Sequence, residues 1–153
     1  MEKSVRPIVF YVVLTTLIRE TESTMVSTQS LKQNHLFRRL YRRGTSSAGR
    51  YVVVYCRKNG LSYNRLGLTV GTKVGHAVVR NRVRRRLREA YRLSEAQFVS
   101  GYDIVIVART RAADAAYQDL AEGLMAASRK LGLIRKEQKH ETAASMADPL
   151  LSE

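Results

Sequence analysis

Seven arginines stand within thirteen residues, "RNRVRRRLREAYR", Arg80 to Arg92, beside a single acid, Glu89. Guanidinium groups this dense repel one another unless something anionic sits among them. On a helix the usual relief is an acid three or four residues away, and only Glu89 is available. The stretch contains no lysine. Arginine's planar fork suits paired hydrogen bonds to phosphate. The chemistry on offer is recognition of a polyanion, with nucleic acid the first candidate and a membrane surface the second. The plainer reading, a solvated charged face, fits less well because solvated faces interleave acids.

Aromatic residues supply a second signal. Phe37 and Tyr41 lie one helical turn apart, interleaved with Arg38, Arg39, Arg42 and Arg43. Tyr51, Val53 and Tyr55 alternate along one strand face, with Tyr63 nearby. Rings that stack bases beside cations that track a backbone are what a single-stranded nucleic acid needs. Phe37 and Tyr55 would serve equally well as core residues, and the pattern alone leaves both readings open.

A catalytic set of its own is harder to find. A nuclease acting alone wants paired carboxylates on a metal or a histidine pair. The histidines, His35, His76 and His140, fall in separate elements and read as surface or loop residues. "GTKVGHAVVRNR" has glycines but lacks the spacing of a phosphate-binding loop. The lone Cys56 excludes an internal disulfide, no Cys/His cluster has metal-ligand spacing, and a reducing, cytosolic setting fits.

The elements that position these residues follow from periodicity. "LKQNHLFRRLYRRG" carries Leu36, Phe37, Leu40 and Tyr41 at helical spacing, with Asn34 as N-cap and Gly44 as stop. "RYVVVYC" and "RLGLTVGT" read as strands, separated by a turn at Asn59-Gly60. In "HAVVRNRVRRRLREAYRL", Val79, Val83, Leu87 and Ala90 form one stripe about 80° wide at 100° per residue. Asn81, Arg84, Arg85, Arg88 and Arg92 fall opposite. "GYDIVIVAR" is a buried strand, and "DAAYQDLAEGLMAASRKLG" a helix with Tyr117, Leu120, Leu124, Ala127 and Leu131 inward, capped by Asp114 and ended by Gly132. The order α-β-β-α-β-α predicts one α+β sandwich in which the strands flanking the arginine-rich helix run parallel.

The 153 residues suggest one domain. Formal net charge is +14. Lys32 to Leu93 holds seventeen Lys/Arg and one acid, a local +16, so the remainder sums to −2. "PIVFYVVLTTLI", Pro7 to Ile18, is too short to span a bilayer, and "RETEST" after it offers no signal-cleavage site. The expectation is that residues 1–24 are a non-native or disordered extension, the native start lying near Met25. An extra strand or helix is the alternative. Residues 25–135 are the expected domain and 136–153 a disordered polar tail.

"KVGHAVVRNRVRRRLREAYR", with its Arg80-Asn81-Arg82 triplet, closely resembles the signature of the bacterial ribonuclease P protein subunits. "LKQNHLFRRLYRRGTSSAGRYVVVYC", "RLGLTVGTKVG" and "GYDIVIVARTRAADAAYQDL" resemble the flanking elements of that family, so the likeness runs from about Leu31 to Leu133. It implies a small two-layer α+β sandwich like domain 2 of ribosomal protein S5, ordered α-β-β-β-α-β-α with a left-handed β-α-β crossover. It implies a partner RNA subunit that carries catalysis and most of the Mg²⁺, precursor tRNA as substrate, 5′-leader removal as the reaction, a cytoplasmic setting and no membrane. By motif match, Phe37, Tyr41, Val53, Tyr55, Thr69 and Lys73 would line the leader cleft. Arg80, Asn81, Arg82, Arg84, Arg85 and Arg88 would meet the RNA subunit. The chain departs from the family at Gly71 and Thr72, where a Ser-x-Lys-Lys run is usual, at His76, which weakens a helix cap, and at Arg86, which stands where an apolar residue is usual. A basic RNA-binding module of ribosomal or chaperone type is the alternative, and a stand-alone nuclease a third.

Overall fold

The computed structural model describes residues 25–136. A five-stranded sheet runs in the order β1-β4-β5-β3-β2. Its strands are β1 (Thr28–Ser30), β2 (Thr45–Ala48), β3 (Val52–Lys58), β4 (Asn64–Val70) and β5 (Tyr102–Ala108). The helices are α1 (Asn34–Arg43), α2 (Ala77–Ser94) and α3 (Tyr117–Lys130). As the sequence predicts, β4 and β5 are parallel neighbours joined through α2. β3 pairs antiparallel on the other side of β5.

Alternation along the three inner strands separates two faces. Val52, Val54, Cys56, Leu66, Ile104 and Ile106 point to one side, where Val83 and Leu87 of α2 and Leu120 and Leu124 of α3 close the main core. Burying an apolar side chain of this size contributes roughly 1.5–3 kcal/mol, so this layer supplies most of the stability. Tyr91 joins it, fully buried, with its hydroxyl 3.1 Å from Thr28 Oγ1 and its ring 4.7 Å from Phe98. The opposite face is covered only in part, by Leu36 and Leu40 of α1 with Leu31 against Val105.

Three expectations need correction. The order read from periodicity lacks β1 before the first helix and β2 after it, while the order implied by the resemblance already holds the strand at β2 and lacks only β1. Both are polar edge strands, paired to a neighbour on one side only, and polar edges lack the apolar alternation that reveals an inner strand. The cap of α1 is Gln33, not Asn34, which is the first helical residue; that of α3 is Ala116, not Asp114, and neither cap makes a side-chain bond. Gly44 does end α1, through close approach and not a left-handed turn: φ is −78°, and a Cβ there would lie 2.5 Å from the Leu40 carbonyl oxygen. Gly132 ends α3 with φ +71°, the conformation that favours glycine. Residues 1–24 and the tail beyond Lys136 lie outside the described residues.

The start of the described chain is held by a carboxylate. Glu95, itself buried, accepts the backbone N–H groups of Val26 and Ser27, each at 2.9 Å, and the Ser27 hydroxyl at 3.1 Å. Burial alone would raise its pKa, but the hydrogen bonds outweigh it and hold the carboxyl below the ordinary 4.5. A depressed folded-state pKa contributes stability that is present above the unfolded value and lost as pH falls through the folded one. Acidification below the ordinary carboxylate range is therefore expected to release this segment before the core opens. Amide hydrogen exchange should show Val26 and Ser27 losing protection first; protection lost together with Ile104 and Ile106 would contradict this.

Candidate nucleic-acid interface

The half-covered face of the sheet forms a cleft. Register places Tyr55, Val105 and Gly67 in one row across β3, β5 and β4, and Val53, Val107 and Thr69 in the next. α1 lies over the first row. Phe37 rests on Gly67 so closely that a Cβ there would meet its Cζ at 2.6 Å. Tyr41, 43% exposed, stands edge-on to Tyr55 with centroids 5.0 Å apart and planes at 84°. Its hydroxyl lies 3.2 Å from Thr69 Oγ1. The second row, Val53 with Val107 and Thr69, is the half-buried floor beside that helix. Five expected cleft residues, Phe37, Tyr41, Val53, Tyr55 and Thr69, thus share one face. Lys73 stands past the end of β4, exposed on the turn Thr72–Val74.

Partly exposed aromatic rings beside an apolar floor and flanking cations can stack an unpaired base while the charges hold its phosphates. The exposed Arg38, Arg39, Arg42 and Arg43 run along α1 beside the rings. A double helix would have no such use for the rings, since its bases are already stacked.

The arginines of α2 divide by what they touch. Asn81, Arg82, Arg85 and Arg88 are exposed, and Arg80 and Arg84 half-buried. Arg84 donates from Nη1 to Asn81 Oδ1 at 3.0 Å, which fixes its direction along the helix. Arg82 reaches the Ala113 carbonyl at 3.4 Å. Arg86 donates to the Ala115 carbonyl at 2.9 Å, tying α2 to the segment that enters α3. This accounts for a cation at the edge of the inner stripe: Arg86 satisfies a loop carbonyl that an apolar side chain would leave bare. Glu89, the one acid, is occupied by Arg92 through Nε to Oε2 at 3.0 Å, a bond that holds its carboxyl below the usual range. The exposed arginine face therefore keeps its positive charge. His76 precedes α2 as its cap and makes no side-chain bond.

Two groups escaped the sequence reading. Arg65 on β4 grips Asp103 of β5 at 2.7 and 2.8 Å, directly across the register. Arg50, Arg109 and Arg111 gather around a cavity of about 320 Å³ near the C-terminal end of β5, with Arg109 donating to the Gly49 carbonyl at 2.8 Å. They come from two segments that only the β3–β5 pairing brings together. Cys56, buried, has its thiol pushed up by burial against the opposing hydrogen bond with Thr45.

These features define a class: a basic α+β protein with a ring-lined face on one side of its sheet and an acid-poor arginine helix on the other, a combination that suits nucleic acid. The comparisons narrow it. The family model described as Ribonuclease P matches residues 25–132. A "Ribonuclease P protein component" of Alkaliphilus metalliredigens is 41% identical over 110 residues, covering 72% of this chain and 99% of that one. One from Clostridioides difficile is 44% identical over 98 residues, 63% and 86% of the two chains. Among solved structures, the Staphylococcus aureus RNase P protein matches with TM-score 0.65 at 31% identity, over 69% of this chain and 97% of that one. The RNase P protein from Thermotoga maritima matches with TM-score 0.60 at 31% identity, over 64% and 93%. The chain belongs to the ribonuclease P protein family.

Proposed function

We propose that this chain is the protein subunit of ribonuclease P, which binds a catalytic RNA and the 5′ leader of precursor tRNA and assists removal of that leader. The observation that carries the reading is the division of the surface: a ring-lined cleft on one face of the sheet and an acid-poor arginine helix on the other. In this reading Phe37, Tyr41 and Tyr55 hold the leader over the floor of Val53 and Thr69, with Lys73 at its end. Arg80, Asn81, Arg82, Arg84, Arg85 and Arg88 meet the RNA subunit. The protein brings the two RNAs together and offsets phosphate repulsion, which lowers the cation demand of the complex.

Endonucleolytic chemistry is assigned to the RNA partner. Among the described residues no three His, Cys, Asp or Glu side chains stand together as a metal-holding group. They do not fit Mg²⁺, which the proposal places mainly on the RNA. No described helix is long and apolar enough to cross a membrane, and a cytoplasmic setting is proposed with the rest.

Reconstitution tests this. Added to ribonuclease P RNA at low Mg²⁺, the full chain is expected to raise the rate of precursor cleavage at the mature 5′ end several-fold or more. RNA binding with no rise in cleavage would leave a general RNA-binding module. Cleavage by the protein without RNA would place the chemistry on the chain itself.

A further inference from the structure

β1 pairs with only the first half of β4: its register ends at Ser30 opposite Leu66. The last bond across that edge runs from the Leu31 N–H to the Leu66 carbonyl at 2.8 Å. Backbone groups on a strand alternate in direction with a period of two. The N–H and C=O of Leu68 therefore point outward on the same side as those of Leu66, and among the described residues no strand covers them. An open edge of this kind normally invites pairing unless charge or cover protects it.

A cavity of about 410 Å³ lies against this edge, lined by Ser30, Leu31, Phe37, Leu68, Arg84 and Arg88 among others, none of them acidic. It sits where the two faces of the sheet meet at its rim. Phe37 reaches it from α1 on the cleft side, and Arg84 and Arg88 from α2 on the other. One ring, two guanidiniums and a backbone donor beside an acceptor converge on a space of small-ligand size. Every nucleobase carries a donor next to an acceptor on its pairing edge.

We propose that this cavity takes one unstacked nucleotide of a single-stranded RNA, its base edge against the Leu68 N–H and C=O and its phosphate on Arg84 and Arg88. The proposal deepens the RNA-binding reading above and rests on it. It puts a base-reading position at the seam between the leader cleft and the arginine helix, so that a strand leaving the rings of α1 crosses the rim toward α2. The charge of the rim selects RNA over a polypeptide strand, because two arginines beside an edge disfavour any partner that brings no anion.

The test follows the Leu68 amide by NMR and by hydrogen exchange in the full-length protein, with a uridine octanucleotide as probe and with variants carrying one abasic position. The expected result is a shift and slowed exchange at Leu68 on RNA addition, lost for one abasic position only. Ser30→Tyr, which fills the cavity from an exposed site without altering charge, should weaken octanucleotide binding roughly tenfold, the scale of one stacked base. It should silence Leu68 while the Phe37 ring signals still respond. A still Leu68 amide with a responding Phe37 ring in the wild-type protein overturns the proposal and leaves the cleft reading intact. An equal Leu68 response to a neutral Val/Thr-rich peptide also overturns it, in favour of strand addition. Silence at both residues would overturn the RNA-binding reading itself.

Discussion

Alanine at both Arg84 and Arg88 is expected to weaken binding to ribonuclease P RNA roughly hundredfold. The figure follows from about 1.5 kcal/mol for each of two charge-assisted hydrogen bonds. Arg88 is exposed, and among the described residues Arg84 is held only by Asn81 on its own helix. Neither caps a loop, unlike Arg86, so the fold should survive and its thermal midpoint move little. The more diagnostic quantity is the salt dependence. Each phosphate that is no longer neutralised should flatten the plot of log affinity against log salt by about 0.7–0.9. Titrations at several salt concentrations measure both. Weaker binding with an unchanged slope would mean that the two arginines act by shaping the helix and not by meeting phosphate.

Phe37→Ala is expected to cost about 1–3 kcal/mol of affinity for leader-bearing precursor, the worth of one base stacked on a ring, and nothing for mature tRNA. Phe37 also roofs Gly67, so alanine opens space in the smaller core as well as removing a stacking surface. Phe37→Leu separates the two roles: it keeps apolar cover over Gly67 and lacks the ring. Leader affinity should fall in both variants, while the melting temperature drops in the alanine variant more than in the leucine one. Equal affinity losses for precursor and mature tRNA would make Phe37 a core residue and nothing else.

The sequence makes these sites legible to different depths. The arginine face of α2 could be read almost completely, because a helix places residues by a local rule. Val83, Leu87 and Ala90 point inward as the 100° period requires. What the period cannot show is which arginines are already employed: the bonds of Arg82 and Arg86 end on carbonyls about thirty residues away. The cleft was legible in its residue types but not in its construction. Nothing in "YVVVYC" or "RLGLTVGT" says that Val53 and Thr69 flank Val107, since that depends on β5 lying between their strands. Periodicity misses β1 and β2 because "TQS" and "TSSA" are polar, and only the resemblance implies the strand at β2; their pairing is chosen by the inner strands they border. The Arg65–Asp103 and Arg109–Gly49 bonds join segments distant in sequence and have no local signature at all.

The central place of β5 also orders events during synthesis. β3 and β4 follow one another in the chain yet do not pair; each is hydrogen-bonded to β5. Until residues 102–108 leave the ribosome, the emerging chain can close only the β2–β3 hairpin and the short β1–β4 ladder. Both inner strands keep one ladder edge waiting, and α2 has no finished sheet to lie on. Long-range pairing of this kind is slow, because loop closure must precede the interactions that compensate it. The arginine helix is thus made before the surface that buries its apolar stripe, and its charge gives the unfinished chain a means of staying apart from its copies.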